Sequence, residues 1–345
     1  MNMKDKNKVK TVHIWKDIVL FFLFILVVVL ILLFTMVKVG ESKLHESAFS
    51  GRLTEKAGQE KYKELNRDGV TYTYKEDLIN ILLLGIDGRE KAVENTVYGA
   101  GPKSDAIYLA TFDPGQRHVT FLNISRDTIT DIRYMDSFGD EIGIFPGHLT
   151  LQYANGDGLH GSCEMTSEAV SHLLNGIPIH AYAALYWKAI VPIVEEIGAV
   201  PVNVPDYMCQ LSPQIFSQSG YTYLNGRQAL EYVEVRDIWQ QGTNELRSIH
   251  QKEFMQSLFD TVKQKLKKDP LLIWRLKQEA EDYLVTDLAL DEMFVIGLWG
   301  TGWEIGSLDI RSLPGESVEG DLHDEFYVDE NEKQEFLLDL FYEKN

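Results

Sequence analysis

Ile18 to Val37 is an uninterrupted run of 20 residues without a charge, IVLFFLFILVVVLILLFTMV. An α-helix of about 20 apolar residues is what crosses a hydrocarbon core, so this run predicts one transmembrane helix. Lys4, Lys6, Lys8, Lys10 and Lys16 precede it, whereas Lys38, Lys43 and Arg52 are the bases in the fifteen residues after it. That imbalance places the N-terminus in the cytoplasm and the remainder outside the cell membrane. A cleaved signal peptide is the rival reading, but its apolar core is shorter and ends in a small-residue site, and no A-x-A stands near Val37. The expected organisation is therefore a short cytoplasmic segment (1–17), a transmembrane helix (18–37), an extracytoplasmic stalk (38–76) with a helix near Glu55–Leu65, and one extracytoplasmic domain (77–345).

The formal charge is −19, from 52 acids against 33 bases, while the segment up to Val37 is net basic. The outer domain is thus strongly acidic. Nucleic acid is excluded as a general partner, because phosphate neutralisation needs clustered Lys and Arg. An anionic substrate would have to be held by local arginines or by a metal. Cys163 and Cys209 are too few for a zinc ribbon or a disulfide scaffold. Outside the cell they could pair or stay as thiols, and the sequence leaves both open.

From Asp77 onward strands and helices mix through one unit, which predicts an α/β domain, an α/β/α sandwich around a central sheet. Leu78–Gly85 reads as a strand buried on both faces. Ala106–Phe112 and His118–Ser125 alternate as strands, joined by the turn Asp113-Pro114-Gly115-Gln116. Ser162 is placed to cap a helix over Glu164–Leu174. Ile179–Tyr186 and Val200–Val204 read as strands, with a helix over Trp187–Ile197 between them. Arg247–Lys268 reads as a long amphipathic helix, and Leu271–Tyr283 as another after Pro270. The acidic stretch Glu316–Glu332 reads as a solvated edge without a site, and Phe336–Phe341 closes the core.

Three segments carry chemistry. Asp87 and Arg89 directly follow the buried strand, where ligands of open α/β sheets gather. Asp105 opens the next strand, and if the two strands are neighbours Asp87 and Asp105 share a site; two carboxylates with phosphate and water oxygens suit Mg²⁺. Arg126 and Asp127 end the hairpin's second strand, and an arginine fork suits bidentate grip on phosphate. Further on, Arg236 follows an apolar run, and Arg247, His250 and Gln251 share one face of a helix's first turns. Each also has a plain reading as a turn residue or a solvated surface group. No Walker loop, serine-hydrolase elbow or zinc-ligand spacing is present.

Six ordered segments carry a resemblance: NILLLGIDGR (Asn80–Arg89), SDAIYLATFDP (Ser104–Pro114), VTFLNISRDT (Val119–Thr128), GIPIHAYAAL with IVEEIGAVPVNVP (within Gly176–Pro205), LNGRQALEYVEVR (Leu224–Arg236) and ELRSIHQ (Glu245–Gln251). In this order, behind an N-terminal anchor, the chain resembles the LytR-CpsA-Psr family of bacterial cell-wall enzymes over about residues 78–265. The resemblance implies an α/β/α fold with a mixed sheet and an apolar pocket for a polyprenyl chain. It implies a phosphotransferase that moves a glycopolymer, of teichoic acid or capsular polysaccharide type, from polyprenyl pyrophosphate onto a muramic-acid hydroxyl of peptidoglycan, with Mg²⁺. It carries metal roles onto Asp87 and Asp105 and pyrophosphate-gripping roles onto Arg89, Arg126, Arg236, Arg247 and Gln251. Asp127 matches the acid beside the central arginine, and Asp87 is a candidate acceptor for the hydroxyl proton. Three positions depart from the pattern: Glu234 and His250 stand where arginines are usual, and His148 where a lysine is frequent. Each removes a permanent positive charge, so a non-catalytic binder of polyprenyl-linked glycans, regulating envelope assembly, is the competing expectation; pyrophosphate hydrolysis is a third.

Overall fold

The run INILLLGI has no polar side chain beyond Asn80, and it forms the strand Ile79–Ile86 at the centre of the molecule. The computed structural model describes residues 35–44, 62–67, 69–88, 90–235, 243–303, 309–320 and 324–344. All but the last three residues of the apolar run Ile18–Val37, and with them the expected membrane crossing, lie outside this set. No helix among the described residues is long and apolar enough to cross a membrane.

In chain order the elements are a helix α1 (35–44), then β1 (Glu64–Arg67), β2 (Val70–Tyr74), β3 (Ile79–Ile86), β4 (Ser104–Asp113), β5 (His118–Ile124), β6 (Ile129–Met135) and β7 (Glu141–His148). There follow α2 (Thr150–Ala154), α3 (His160–Leu173), β8 (Ala181–Tyr186), α4 (Ile190–Ile197), β9 (Val200–Val204), α5 (Asp206–Leu211), β10 (Gly220–Leu224), α6 (Gly226–Glu234) and α7 (Thr243–Leu266). The last part holds α8 (Leu272–Ala280), β11 (Leu284–Thr286), α9 (Leu290–Gly302), β12 (Asp309–Ser312), β13 (Gly315–Glu319), β14 (Asp324–Val328), α10 (Glu330–Phe341) and β15 (Tyr342–Lys344).

Six strands form the central sheet in the order β11-β8-β3-β4-β5-β12. β3 runs parallel to β8 and β5 to β12, while β4 is antiparallel to both neighbours, so the sheet is mixed. Strand alternation sends Ile107 and Leu109 to one face and Tyr108, Ala110 and Phe112 to the other. The first face packs under α3 and α10 through Val170, Leu173, Leu337 and Phe341. The second packs under α1, α7 and α9 through Leu44, Phe259, Val295 and Trp303. Helices on both faces make the α/β/α sandwich, and each fully buried Leu or Ile contributes roughly 1.5–3 kcal/mol. A smaller cluster joins the β9–β10 ribbon to α4, α6, α7 and α8, which fixes α6 and α7 beside the sheet.

Two expectations change. Ser162 lies inside α3, and the start of that helix is held instead by Asp157, whose carboxylate accepts N–H bonds from Leu159, Gly161 and Ser162 at 2.8–3.1 Å. The stretch 38–76, read as a stalk, contributes packed structure. Leu44 is 1% exposed against α9, Lys43 pairs with Asp291 at 2.6 Å, and β1 and β2 form a sheet with β15. Of the helix expected near Glu55–Leu65, residues 55–61 lie outside the described set, and Glu64 and Leu65 are strand.

Candidate functional site

The site begins with an irregularity in the sheet. Ile86 pairs with Ser104 and Gly85 with Ala106, which leaves Asp105 without a partner in β3. An extra residue of this kind re-aims its side chain. Asp105, 8% exposed at the side chain, meets two arginines from separate elements. Arg126, just beyond the end of β5, donates from Nη1 to Asp105 Oδ1, and Arg247 Nη1, in the second turn of α7, lies 3.3 Å from Asp105 Oδ2. One carboxylate thus orients two guanidinium groups, and an acid supplies the counter-charge that makes their partial burial tolerable.

The loop carrying Arg126 is fixed through its backbone. Thr128 donates from N–H at 3.1 Å and from its hydroxyl at 2.7 Å to the Ser125 carbonyl. The Arg126 carbonyl accepts Thr150 N–H at 3.0 Å, and the Asp127 carbonyl accepts Phe326 N–H at 2.9 Å. Asp127 Oδ1 lies 3.4 Å from Arg126 Nε without hydrogen-bond geometry, so this Nε is a buried donor with no bond. Gln251 donates from Nε2 to the Val233 carbonyl at 3.2 Å and ties α7 to the last turn of α6.

These groups border a cavity of about 540 Å³, lined by Asp105, Arg126, Asp127, Arg247 and Gln251. Tyr108 and Asn123 of the sheet and Leu313 beyond β12 contribute further walls. The acidic stretch read as a siteless edge also belongs here. Ser317, Val318, Glu319, Asp324 and Phe326 of the β13–β14 hairpin line the same cavity. The Thr128–Phe326 bridge holds the hairpin against the arginine loop. The signal for it was the placement of Val318, Phe326 and Val328 among acids, a strand pattern masked by the composition.

Asp87 stands at the edge of this arrangement. It is exposed and does not line the cavity; its N–H donates to the Lys103 carbonyl at 3.0 Å, and its Oδ1 accepts Lys103 N–H at 2.6 Å. That exchange ties Asp87 to Lys103, two residues before Asp105. Its other carboxylate oxygen has no hydrogen bond among the described residues, where no group of three His, Cys, Asp or Glu side chains is placed to hold a metal. Arg89 and Arg236 lie outside the described residues.

The departures from the arginine pattern have structural counterparts. His250 is 9% exposed and packs against the rings of Tyr207 and Tyr232. Its Nδ1 lies 3.3 Å from both Tyr232 Oη and Glu253 Oε2, and Tyr232 donates to Glu253 at 2.9 Å. Burial, with the Glu253 carboxylate beside it, pushes the Tyr232 phenol above its ordinary range. His250 therefore completes an aromatic cluster next to the site, with the exposed Glu253 carboxylate at its rim. Glu234 ends α6, and His148 faces Ile129 in the β6–β7 ribbon.

The chain is thus a mixed-sheet α/β/α domain with two arginines gathered on one carboxylate beside a cavity. The sequence signature of the LytR_cpsA_psr family matches residues 45–340, and the chain belongs to that family. It is 24% identical over 249 residues to TagV of Bacillus subtilis (strain 168), named a polyisoprenyl-teichoic acid–peptidoglycan teichoic acid transferase; the match covers 71% of this chain and 58% of that protein. It is 28% identical over 193 residues to TagU of Oceanobacillus iheyensis, of the same description, covering 53% and 50%. The matched stretch thus spans between half and three-fifths of these relatives. In structure it is similar to the crystal structure of B. subtilis TagV, with a TM-score of 0.58, 22% identity and coverage of 76% and 95%. It is also similar to TagT bound to LI-WTA, with a TM-score of 0.56, 23% identity and coverage of 76% and 89%.

Proposed function

We propose that this protein is a phosphotransferase of the cell envelope that moves a glycopolymer from polyprenyl pyrophosphate onto peptidoglycan. The observation that carries the reading is the pair Arg126 and Arg247, oriented by Asp105 over a cavity. Preorganised guanidinium groups stabilise the charge that develops on a transferring phosphoryl group. The names of the relatives support teichoic acid as the cargo class.

In this reading the acceptor hydroxyl oxygen bonds to the phosphorus next to the glycan. The phosphoanhydride P–O bond breaks, and polyprenyl phosphate leaves with the bond electrons. The hydroxyl proton passes to Asp87. Asp105 and Asp127 hold Arg126 in place, and Gln251 fixes α7, with Arg89 and Arg236 adding positive charge. Both oxygens of Asp105 are engaged by Arg126 and Arg247, whereas Asp87 keeps one oxygen unbonded among the described residues. Mg²⁺, a hard cation that takes one or two carboxylates plus phosphate oxygens, would therefore be held by Asp87, with Asp105 joining only by releasing an arginine. When bound, the ion neutralises charge on the pyrophosphate. The apolar run Ile18–Val37 anchors the chain, with the domain outside the cell membrane, where both substrates meet it.

The test incubates the detergent-solubilised full chain with a polyprenyl-pyrophosphate oligosaccharide and peptidoglycan fragments, with and without Mg²⁺. Mass spectrometry should find the glycan joined through phosphate to the fragment only when Mg²⁺ is present, and Arg126→Ala should abolish it. Undiminished transfer by a folded Arg126→Ala protein would refute the reading.

A further inference from the structure

Tyr108 and Asn123 are directly opposed in the antiparallel register of β4 and β5, and both line the cavity. Tyr108 is 6% exposed, with its ring set in the apolar cluster beside Ile81, Ala110 and Phe112. Neither its hydroxyl nor the Asn123 side chain has a hydrogen-bond partner among the described residues. Polar groups that face a cavity without a protein partner are open to a ligand. Burial pushes the phenol up to about 12, so it remains a protonated donor at neutral pH.

The two residues fall at a definite depth. Asp105 and Arg126 mark the charged end of the β4–β5 pair, and the small residues Ala106 and Ser125, also on the cavity, come next. Tyr108 and Asn123 lie one side-chain repeat further in, about 6.8 Å along the strands. Beyond them the same face is apolar, with Ala110, Phe112, Val119 and Phe121. The order along the strands is charged, small, neutral donor, apolar. A single phosphate would engage only the charged end. A diphosphate with an apolar substituent matches the whole sequence.

We propose that Tyr108 and Asn123 bind the inner phosphate of a diphosphate, the one bearing the apolar group, through the phenol O–H and the amide N–H, while Arg126 and Arg247 hold the outer one. This rests on the reading of the cavity as a pyrophosphate site. An uncharged donor pair stabilises the departing lipid phosphate without the salt-bridge strength that would retain it. It makes the pair a determinant of diphosphate over monophosphate binding.

The test is calorimetric titration of the full chain in detergent with inorganic pyrophosphate and, separately, inorganic phosphate. The wild type should bind pyrophosphate at least tenfold more tightly. Tyr108→Phe keeps the ring in its cluster and removes only the hydroxyl; it and Asn123→Ala should each weaken pyrophosphate about five- to tenfold, with phosphate changed less than twofold. A packing role alone would leave that ratio unmoved. An unchanged ratio in both variants, with Arg126→Ala still weakening both anions, overturns the inner-phosphate assignment and leaves the site reading standing. Unaltered anion binding by Arg126→Ala overturns the site reading itself and this assignment with it.

Discussion

Arg247 Nη1 lies 3.3 Å from Asp105 Oδ2, joining the early part of α7 to an unpaired residue of β4. The same carboxylate receives Arg126 through its other oxygen. The two ends of the β4–β5 hairpin and the distant helix α7 therefore meet at one acid, and the position of both cations depends on it.

Asp105→Asn keeps the shape and removes the negative charge, leaving two guanidinium groups facing each other with little exposure. Breaking a buried ion pair from one side costs about 3–5 kcal/mol, and the 25% exposure of Arg126 reduces this to about 2 kcal/mol. Urea unfolding should show a lower midpoint with an unchanged slope. A midpoint equal to the wild type would mean that the carboxylate does not organise the arginines.

His250→Arg, which restores the residue usual at that position, should destabilise the chain. The larger cation must enter a space 9% exposed between Tyr207, Tyr232 and Glu253. Overpacking costs about 1–3 kcal/mol, read as a lower thermal midpoint. A gain in transfer rate at unchanged stability would show instead that the histidine is a weakened arginine position.

Gly315 opens the hairpin that walls the cavity. A Cβ there would collide with the Tyr327 carbonyl and meet the Phe326 ring. Gly315→Ala should therefore part β13 from β14 and loosen the Phe326 N–H bond to Asp127. Hydrogen exchange at the Phe326 amide should accelerate at least tenfold while the β3 and β4 amides stay protected. Equal protection in both proteins would detach the hairpin from the arginine loop.

How much of this was legible in the sequence depends on range. β3, β4 and β5 follow from an apolar run, alternation and the turn at Asp113–Gln116, all local signals. The residues Asp105, Arg126 and Arg247 were legible one by one, through the resemblance. Their meeting was not, because it depends on a bulge and on where α7 crosses the sheet. The start of α3 was misassigned to Ser162 because three backbone N–H groups converge on Asp157 from a loop whose path the sequence does not state. The hairpin was missed because Glu316, Glu319, Asp324 and Glu325 outweigh Val318 and Phe326 in any local reading. The packing of 35–44 was missed because its contacts are with α9, far along the chain.

Cys163 and Cys209 are free thiols on different elements, Cys163 buried in α3 and Cys209 half-buried in α5. Desolvation, with Asp157 nearby, pushes the Cys163 thiol far above its ordinary value. Thiol titration of unreduced protein should give two groups per chain after denaturation. Under native conditions only Cys209 should react promptly. Zero thiols in the denatured sample would establish a disulfide.

The Lys43–Asp291 pair sets a pH dependence for the packing of α1. Burial raises the Asp291 carboxyl, but the hydrogen bond and charge of Lys43 outweigh it, and the folded value is lowered. Stability from a lowered acid is present above the unfolded value near ~3.9 and is lost as pH falls through the folded value. With Lys43 44% exposed, the contribution is below about 1 kcal/mol. Asp291→Asn should flatten that part of the acid limb in unfolding measurements from pH 5 downward. An acid limb identical to the wild type would mean that the pair does not contribute to acid stability.

Transfer, hydrolysis and binding differ in where the two phosphorus atoms go. Phosphorus NMR of a single turnover, with enzyme in excess over polyprenyl-pyrophosphate oligosaccharide and with peptidoglycan fragments and Mg²⁺ present, follows them directly. For a transferase, the diphosphate signals should give way to one monoester, the lipid phosphate, and one phosphodiester joined to the fragment. Two monoesters would make the protein a hydrolase, and diphosphate signals that shift on binding but persist would make it a binder; either result contradicts the transferase.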